Sequence, residues 1–329
     1  TKEDLIHYKN NGCASLKFGV ESGSQTMLDI MEKKFTVNDI KKALMTSHDI
    51  GLNAHPGGFM VGMPGESMKT AMDSGKLMGE LAANIKVPVG LKHKYMDLCY
   101  ALPLVGTPLY EYGKQLKLIG QNIEEEEKYL EDTTNVTSLK RYYINFNGAP
   151  MSEVLFWDIL VFLEATRTYL KLMKGKTEDK EMVKKYEKRA AIHGGNPHVK
   201  AKEKKVEIMG GSGETQDIAF SQYFITNFLM EHVIFNETIA KLPRILVYPI
   251  VKYLIYFEFL FQKYLVKDSH NLHKNTNNRA NAKIKIKYDD VDPSKTTQKE
   301  RSLRTIVTKK MAELNITEQE KTLSSLTAG

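Results

Sequence analysis

Cysteine is scarce in this chain, which has only Cys13 and Cys99 among its 329 residues. Two thiols without a recognisable signal peptide fit a protein of the reducing cytoplasm better than a secreted fold that depends on disulfide bonds. Both cysteines lie in strand-like patterns, so we interpret them as buried strand residues rather than as ligands. Because the chain opens at Thr1 without an initiator methionine, we expect it to be part of a longer protein.

A positive excess is missing from the first half of the chain, although the formal net charge of the whole is +7. Residues 1–173 carry 19 basic and 21 acidic side chains, and residues 206–266 carry 4 and 6. The positive excess lies in residues 174–205, which carry 11 basic and 5 acidic side chains, and in residues 267–329, which carry 13 basic and 8 acidic side chains. A basic footprint on the core is therefore absent, and we predict no specific nucleic-acid partner.

A long uncharged hydrophobic run is also missing. Residues 242–266 come closest, but Lys252, Glu258 and Lys263 interrupt this run and Pro249 would kink a helix there. At about 100° per residue these three charged positions, together with Arg244, fall within one arc of roughly 140°. The pattern predicts a helix that packs on a domain or lies peripherally in a membrane interface, and it argues against a membrane-spanning helix.

Three stretches have the pattern of a short strand followed by a turn and a helix. The strands are predicted near residues 14–20, 57–62 and 96–102, and Gly, Pro or Glu residues follow each of them. We expect the three strands to be parallel neighbours with helices on one face only. In parallel α/β folds the carboxyl ends of the strands share one edge, where ligands bind, so the three loops are expected to converge there.

These loops resemble a known family. The stretches from Phe18 to Ser24, from Gly58 to Ser67 and from Pro103 to Tyr110 are similar, in this order, to the fourth, fifth and sixth strand ends of radical S-adenosylmethionine enzymes. The closest subgroup carries a cobalamin-binding domain before the barrel. The similarity covers residues 1–120 and continues more loosely to about 173. It implies an α/β fold, namely strands 4–6 of a partial TIM-like (β/α) barrel, and the composition of the later residues predicts an α-helical extension and a disordered tail after it.

The resemblance also implies a chemistry. Enzymes of this family cleave S-adenosylmethionine reductively at a [4Fe-4S] cluster, and the adenosyl radical then abstracts hydrogen from a substrate. The three cluster cysteines are absent from this chain and are expected upstream, so no metal ligand or catalytic residue is assigned here. The resemblance allows for cobalamin, for an electron donor such as ferredoxin or flavodoxin, and for an unidentified small-molecule or lipid-like substrate.

Cofactor-binding positions follow from the same resemblance. Glu21, with Ser22 beside it, is implied to hold a ribose hydroxyl or an ammonium group of S-adenosylmethionine. Phe59 and Val61 are implied to form an apolar wall for the adenine, with Met60 and Gly62 as alternates and with close backbone approach at Gly62. The backbone at Leu102 and Pro103 is implied to bind the adenine edge. Glu66 is interpreted instead as a carboxylate that interacts with the dipole of the next helix.

Four segments are predicted after residue 120. They are a flanking helical segment (121–173) with a packed Trp157, a polar basic linker (174–216), an aromatic and apolar helical segment (217–266), and a disordered basic tail (267–329) with a short helix near residues 304–314. Two other interpretations stay open. One is a non-catalytic degenerate barrel half, and the other is a membrane-surface interaction protein that works through its aromatic segment.

Overall fold

A computed structural model describes residues 1–90, 98–120, 122–134, 143–192, 224–264 and 281–327. Five strands are present in this part of the chain: β1 (Ser15–Glu21), β2 (Asn53–Val61), β3 (Leu98–Tyr100), β4 (Asn145–Asn147) and β5 (Asn281–Ile286). The first nine helices are α1 (Lys2–Asn10), α2 (Gln25–Ile30), α3 (Val37–Asp49), α4 (Met68–Asn84), α5 (Pro108–Gln115), α6 (Ile123–Thr134), α7 (Met151–Val154), α8 (Trp157–Met173) and α9 (Lys180–Ile192). The later helices are α10 (Phe224–His232), α11 (Glu237–Lys241), α12 (Arg244–Tyr264) and α13 (Leu303–Thr327), with a 3₁₀ turn at Tyr288–Asp290.

The strands β1, β2 and β3 form one sheet in that order, and both pairings are parallel. The predicted parallel arrangement of the three strands is therefore confirmed. Strands β4 and β5 form a separate parallel pair. Within the described ranges the protein is thus an α/β fold, and its sheets of three and two strands do not close into a barrel.

The larger core lies between the sheet and the helix pair α4 and α8. Ser67 caps α4 by accepting a hydrogen bond from the backbone N–H of Thr70. Trp157, at the start of α8, is fully buried in this core, as predicted. The two helices approach closely because Gly75 and Gly79 of α4 have no side chain on the facing surface. A Cβ at Gly75 would lie only 2.5 Å from the carbonyl oxygen of Val161.

This close approach gives a stability prediction. In Gly79→Ala the new methyl group would lie 2.7 Å from Cβ of Thr168 and closer still to the carbonyl oxygen of Ala165, which is helix backbone and cannot move aside. Overpacking costs up to about 3 kcal/mol, whereas helix propensity returns about 1 kcal/mol. We expect a net loss of about 2 kcal/mol in the free energy of unfolding, measured by urea denaturation.

Gly113→Ala is the matched control for that prediction. Gly113 also lies in a helix, and its new methyl group would meet Cδ1 of Ile119 at 2.6 Å. Since the end of a flexible side chain can rotate away, Gly113→Ala should change stability by less than about 1 kcal/mol. Equal losses in the two variants would contradict the rigid-backbone explanation.

A second core lies on the other side of the sheet, so helices do not occupy one face only. It is built from α5, the strand pair β4 and β5, and the amino-terminal turns of α13. Ala101 and Met63, which follow β3 and β2, contribute to it, and Met60 packs against it. The core therefore joins the ends of the sheet strands to elements that come almost two hundred residues later.

The predicted disordered tail is wrong for residues 281–327. Strand β5 and helix α13 are ordered because their apolar residues, among them Ile286, Val291 and Ile306, are buried in the second core. The predicted short helix near residues 304–314 is part of α13. Residues 267–280 of the predicted tail lie outside the described part of the chain.

Two other segment predictions also need correction. Within the predicted linker, residues 180–192 form α9, and its Tyr186 is buried and donates a hydrogen bond to the carbonyl oxygen of Ala54 (3.1 Å). The glycine-rich stretch 210–213 lies outside the described residues. The segment 121–173 is not wholly helical, because it contains β4 and because a turn at Leu155 and Phe156 separates α7 from α8.

Candidate functional site

The carboxyl ends of the three sheet strands lie side by side. In the register of the sheet, Glu21 is paired with Phe59, and Phe59 is paired in turn with Leu98. The backbone N–H of Ala101 donates to the carbonyl oxygen of Val61 (2.8 Å), which extends the contact past the end of β3. The predicted positions on β1, β2 and β3 are therefore brought together at one edge.

Strand β2 reverses its side-chain alternation on the way to this edge. Ala54 and Phe59 both belong to the larger core, although they are an odd number of residues apart. The reversal falls at Gly58, which has a φ of +59° and whose Cβ position faces open space. A left-handed residue in a strand shifts the register of the side chains that follow it.

The reversal decides which residues can face a ligand. Phe59 and Val61 are completely buried against the helices, so their side chains lie in the larger core, and the apolar wall predicted from them stays a prediction. Met60 points to the opposite face and is only half-buried. Of the predicted pair and its alternates, Met60 is thus the side chain placed to contact a bound ring.

Glu21 occupies an unusual backbone conformation at the end of β1. Its φ of +63° is left-handed, which is uncommon for a residue other than glycine, although Glu32, Lys86 and Lys117 share this conformation. The side chain is mostly buried and its Oε1 accepts a bond from Nζ of Lys33 at 2.9 Å. Oε1 also lies 3.2 Å from the Cβ position of Gly19, so any larger residue at 19 would crowd the carboxylate.

Ser22 is buried and contributes to the structure of the loop after β1. Its side chain is fully buried, exchanges a hydrogen bond with Oγ of Ser74 in α4 (3.1 Å) and accepts one from the N–H of Ser24. Gly23 lies against the same helix, since a Cβ there would come within 2.7 Å of Cα of Ser74. The loop after β1 is thereby fixed to α4, and Ser22 does not present its hydroxyl to a ligand at the edge.

The loop after β2 is organised by Glu66. This fully buried carboxylate accepts hydrogen bonds through Oε2 from the backbone N–H groups of Gly62 (2.6 Å) and Met63 (3.2 Å). Its Oε1 is buried and has no hydrogen-bond partner among the described residues. Burial raises the pKa of Glu66 to about 8, against the opposing effect of the two N–H donors. The side chain is therefore mostly protonated at neutral pH and does not act as the predicted charge on the helix dipole.

Other parts of the chain cover this loop. The ring of Tyr143 lies where a Cβ at Gly62 would be, at 2.5 Å, and its hydroxyl donates to the carbonyl oxygen of Gly62 (3.0 Å). Asn147 of β4 donates from Nδ2 to the carbonyl oxygen of Met63. The space left by the missing side chain of Gly62 is thus occupied by the ring of Tyr143. Direct contact between Gly62 and a ligand stays a prediction, and it is restricted to the side of the glycine away from Tyr143.

The end of β3 leads to a cleft. Leu102 is half-buried, and the carbonyl oxygen of Pro103 accepts a bond from the hydroxyl of Tyr129 (2.7 Å), so part of the predicted hydrogen-bonding edge is already used. Just beyond, a cleft of about 620 Å³ separates α5 from α13. Thr107 and Glu111 line it on one side, and Arg304 lines it on the other.

The cysteines do not fit a cluster. Cys13 precedes β1, Cys99 lies within β3, and each thiol donates to a nearby backbone carbonyl oxygen at 3.6 Å. Both are half-buried rather than buried, and Cys13 is not in a strand, which corrects the prediction for these residues. In the described part of the chain no three His, Cys, Asp or Glu side chains are grouped to hold a metal ion.

Sequence reasoning missed several of these contacts. Lys33, Tyr143 and Asn147 contact the edge of the sheet, although they are 12 to 84 residues away from their partners in the sequence. No local spacing in the sequence predicts such pairs. Glu66 is noticeable in the sequence, but its burial depends on elements that cover it from elsewhere in the chain. The local signal for it is the Pro64-Gly65-Glu66 turn after an apolar strand.

Comparison with known proteins gives a partial match. A curated protein of Pyrococcus horikoshii, described as an uncharacterized methyltransferase, is 33% identical over 105 residues. The matched region is 32% of this chain and 20% of that protein, so the match spans only a fifth of the relative's length. No family model matches the chain, and no solved structure matches it.

Proposed function

We propose that this chain is the nucleoside-binding part of a radical S-adenosylmethionine enzyme. The observation that carries the proposal is the adjacency of three parallel strand ends, with the carboxylate of Glu21 at the first of them. The relative described as a methyltransferase supports a function in methyl transfer or in the use of S-adenosylmethionine. In this proposal the cluster ligands belong to a part of the protein outside this chain, where the cluster would supply the electron that cleaves the cofactor.

Glu21 is the residue suited to the ribose. A carboxylate has two oxygens and about four lone-pair positions, so the Lys33 ammonium on Oε1 leaves acceptor capacity for a hydroxyl group. The ion pair also restricts the rotamers of Glu21, which reduces the entropy lost when a ligand binds. Lys33 is therefore a positioning residue in the proposed site.

The adenine is assigned to the end of β2. Met60 provides a polarizable apolar surface on the ligand side, while Phe59 and Val61 hold the strand from behind through the core. The backbone around Leu102 supplies hydrogen-bonding groups on the neighbouring strand. Cobalamin and a ferredoxin or flavodoxin donor belong to the same proposal, and no described residue is assigned to either.

Glu21→Ala tests the proposal in the complete protein that contains this chain. Hydrogen bonds to a charged group contribute about 1.5–3 kcal/mol each, so the Kd for S-adenosylmethionine should rise about tenfold or more. Isothermal titration calorimetry measures this change. The iron content should stay the same because Glu21 is no cluster ligand.

Glu80→Ala is the matched control for that test. Glu80 also forms an ion pair, with Lys41 at 2.5 Å, but it lies in α4 away from the strand ends. Its substitution should leave the Kd unchanged. An unchanged Kd in Glu21→Ala, or equal weakening in both variants, would contradict the assignment of Glu21.

A further inference from the structure

Helix α12 presents an unusual surface. Seven large apolar side chains of this helix are between 39% and 81% exposed: Ile245, Leu246, Ile250, Tyr253, Leu254, Phe257 and Phe261. At about 100° per residue, all of them except Ile245 fall within one arc of about 100°. Since an aromatic side chain has roughly 150–250 Å² of surface and an aliphatic one somewhat less, the six side chains of the arc expose on the order of 600 Å². The largest patch of an ordinary monomer is about 300–600 Å².

Two charged residues of α12 form their bonds on a side of the helix away from this arc, although the side chain of Arg244 stays 53% exposed. Glu258 is buried and accepts bonds from the backbone N–H groups of Ile225 (2.6 Å) and Thr226 (3.0 Å), at the start of α10. Arg244 forms a two-pronged ion pair with the fully buried Glu164 of α8, at 2.6 and 2.7 Å. These contacts fix the rotation of the helix, so its apolar arc is held outward by specific bonds on the other side.

The hydroxyl of Tyr248 adds a further bond to Glu164, which strengthens the attachment to α8. Val247, Val251 and Ile255 fill the space between these polar contacts and are buried. Turning the apolar arc toward the protein would break the bonds to Glu164 and leave its carboxylate buried without a partner, which is strongly unfavourable.

The charges of α12 favour an anionic partner. The charge of Arg244 is neutralised by Glu164 and the oxygens of Glu258 are turned inward, so the remaining charges in the sequence of this helix, those of Lys252 and Lys263, are both positive. Lys252 lies on the flank between the buried face and the apolar arc, with Nζ 5.1 Å from the ring centre of Tyr253. The combination of aromatic side chains with a lysine on the flank is typical of helices that lie in the plane of a lipid interface.

We infer that α12 docks in the interface of an anionic lipid bilayer, with its apolar arc inserted and its axis parallel to the surface. None of the helices in the described residues has the length and hydrophobicity needed to span a membrane. An arc of about 100° is wider than the narrow seam by which two helices pair in a coiled coil, which argues against that form of pairing with a second copy of the chain. The inference is independent of the proposed function.

Vesicle binding of the complete protein tests this inference. We expect the protein to float with vesicles of phosphatidylcholine mixed with phosphatidylglycerol, and to bind vesicles of phosphatidylcholine alone more weakly. A carbonate wash should release it, as expected for a helix that does not span. The double variant Tyr253→Ser/Phe257→Ser should reduce the partition coefficient about tenfold or more, because two inserted aromatic rings are lost.

The matched control is Tyr8→Ser/Ile123→Ser. Both side chains are exposed, at 51% and 76%, but they lie in α1 and α6 rather than in α12. This variant should bind vesicles like the wild type, and circular dichroism should show both variants folded. Two vesicle results would overturn the inference: no binding of the wild type to anionic vesicles, or an equal loss of vesicle binding in both variants. A wild-type dimer that does not bind vesicles, and that dissociates in Tyr253→Ser/Phe257→Ser, would overturn it as well. Retention after the carbonate wash would overturn the in-plane orientation.

Discussion

Replacement of Glu66 by glutamine should make the protein less sensitive to alkaline pH. Burial raises the pKa of Glu66 from its usual value near 4.5 to about 8, so the folded state binds a proton that the unfolded state has released over this range. The stabilisation is fully present below pH 4.5 and is lost as the pH rises toward and through 8. At about 1.4 kcal/mol per pKa unit, the loss amounts to roughly 4–5 kcal/mol.

The amide side chain in Glu66→Gln carries no charge at any of these pH values. The free energy of unfolding of the wild type should therefore fall relative to Glu66→Gln between pH 4.5 and 8, measured by urea denaturation at a series of pH values. Glu66→Ala should behave differently, because it leaves the buried N–H groups of Gly62 and Met63 unpaired at a cost of about 1–3 kcal/mol each, at every pH.

Glu80→Gln is the control for the pH experiment. Glu80 is partly exposed in its ion pair with Lys41, so its substitution should give a curve parallel to that of the wild type. If the wild type and Glu66→Gln also gave parallel curves, Glu66 would be ionised in the folded protein and the loop would be held by a charge.

Loss of Arg301 should weaken the attachment of the carboxy-terminal part of the chain to α2. Arg301 donates through Nη2 to Oδ2 of Asp29 at 2.7 Å, and both side chains are almost completely buried. Gln298 donates to the other oxygen of Asp29 at 3.2 Å. In Arg301→Met a buried carboxylate would lose its counter-charge, which costs about 3–5 kcal/mol. Urea denaturation should detect this loss.

A double variant separates the causes in that experiment. Asp29→Asn/Arg301→Met removes both charges, so it should recover part of the stability lost in Arg301→Met. Lys295→Met is the control, because the ion pair of Lys295 with Asp289 is exposed and should contribute less than about 1 kcal/mol. A loss in Arg301→Met no larger than that in Lys295→Met would show that the buried pair does not hold the segment in place.

The sequence by itself determined the local secondary structure of residues 1–120, which contain the candidate site. The alternating apolar patterns predicted β1, β2 and β3 and their parallel order, and the strand-end glycines and prolines predicted where each strand stops. Thr36 and Ser67 cap the starts of α3 and α4, and each does so through a backbone N–H only three residues further on. These features are readable because they depend on neighbours within a few residues, and the parallel order follows from helices between consecutive strands.

Only the tertiary structure decided which side chains are buried in the core and which are accessible at the edge of the sheet. The reversal of side-chain alternation at Gly58 places Phe59 and Val61 in the core. The alternating pattern of the sequence alone does not show whether these two residues or Met60 face the core. The polar composition of residues 267–329 predicts a disordered tail, yet Ile286 and Val291 are buried against the site loops because β4 supplies a partner strand for β5.

The same reason explains Glu66 and α12. Local sequence gives the charge of Glu66, but its protonation depends on Tyr143 and other groups that exclude water from the loop. The periodicity of α12 located its charged arc, and the bonds of Arg244 to Glu164 and of Glu258 to the start of α10 decided how the helix is rotated on the protein. Burial is a property of contacts between distant residues, so the sequence specified the elements while the packing of the elements specified the exposed chemistry.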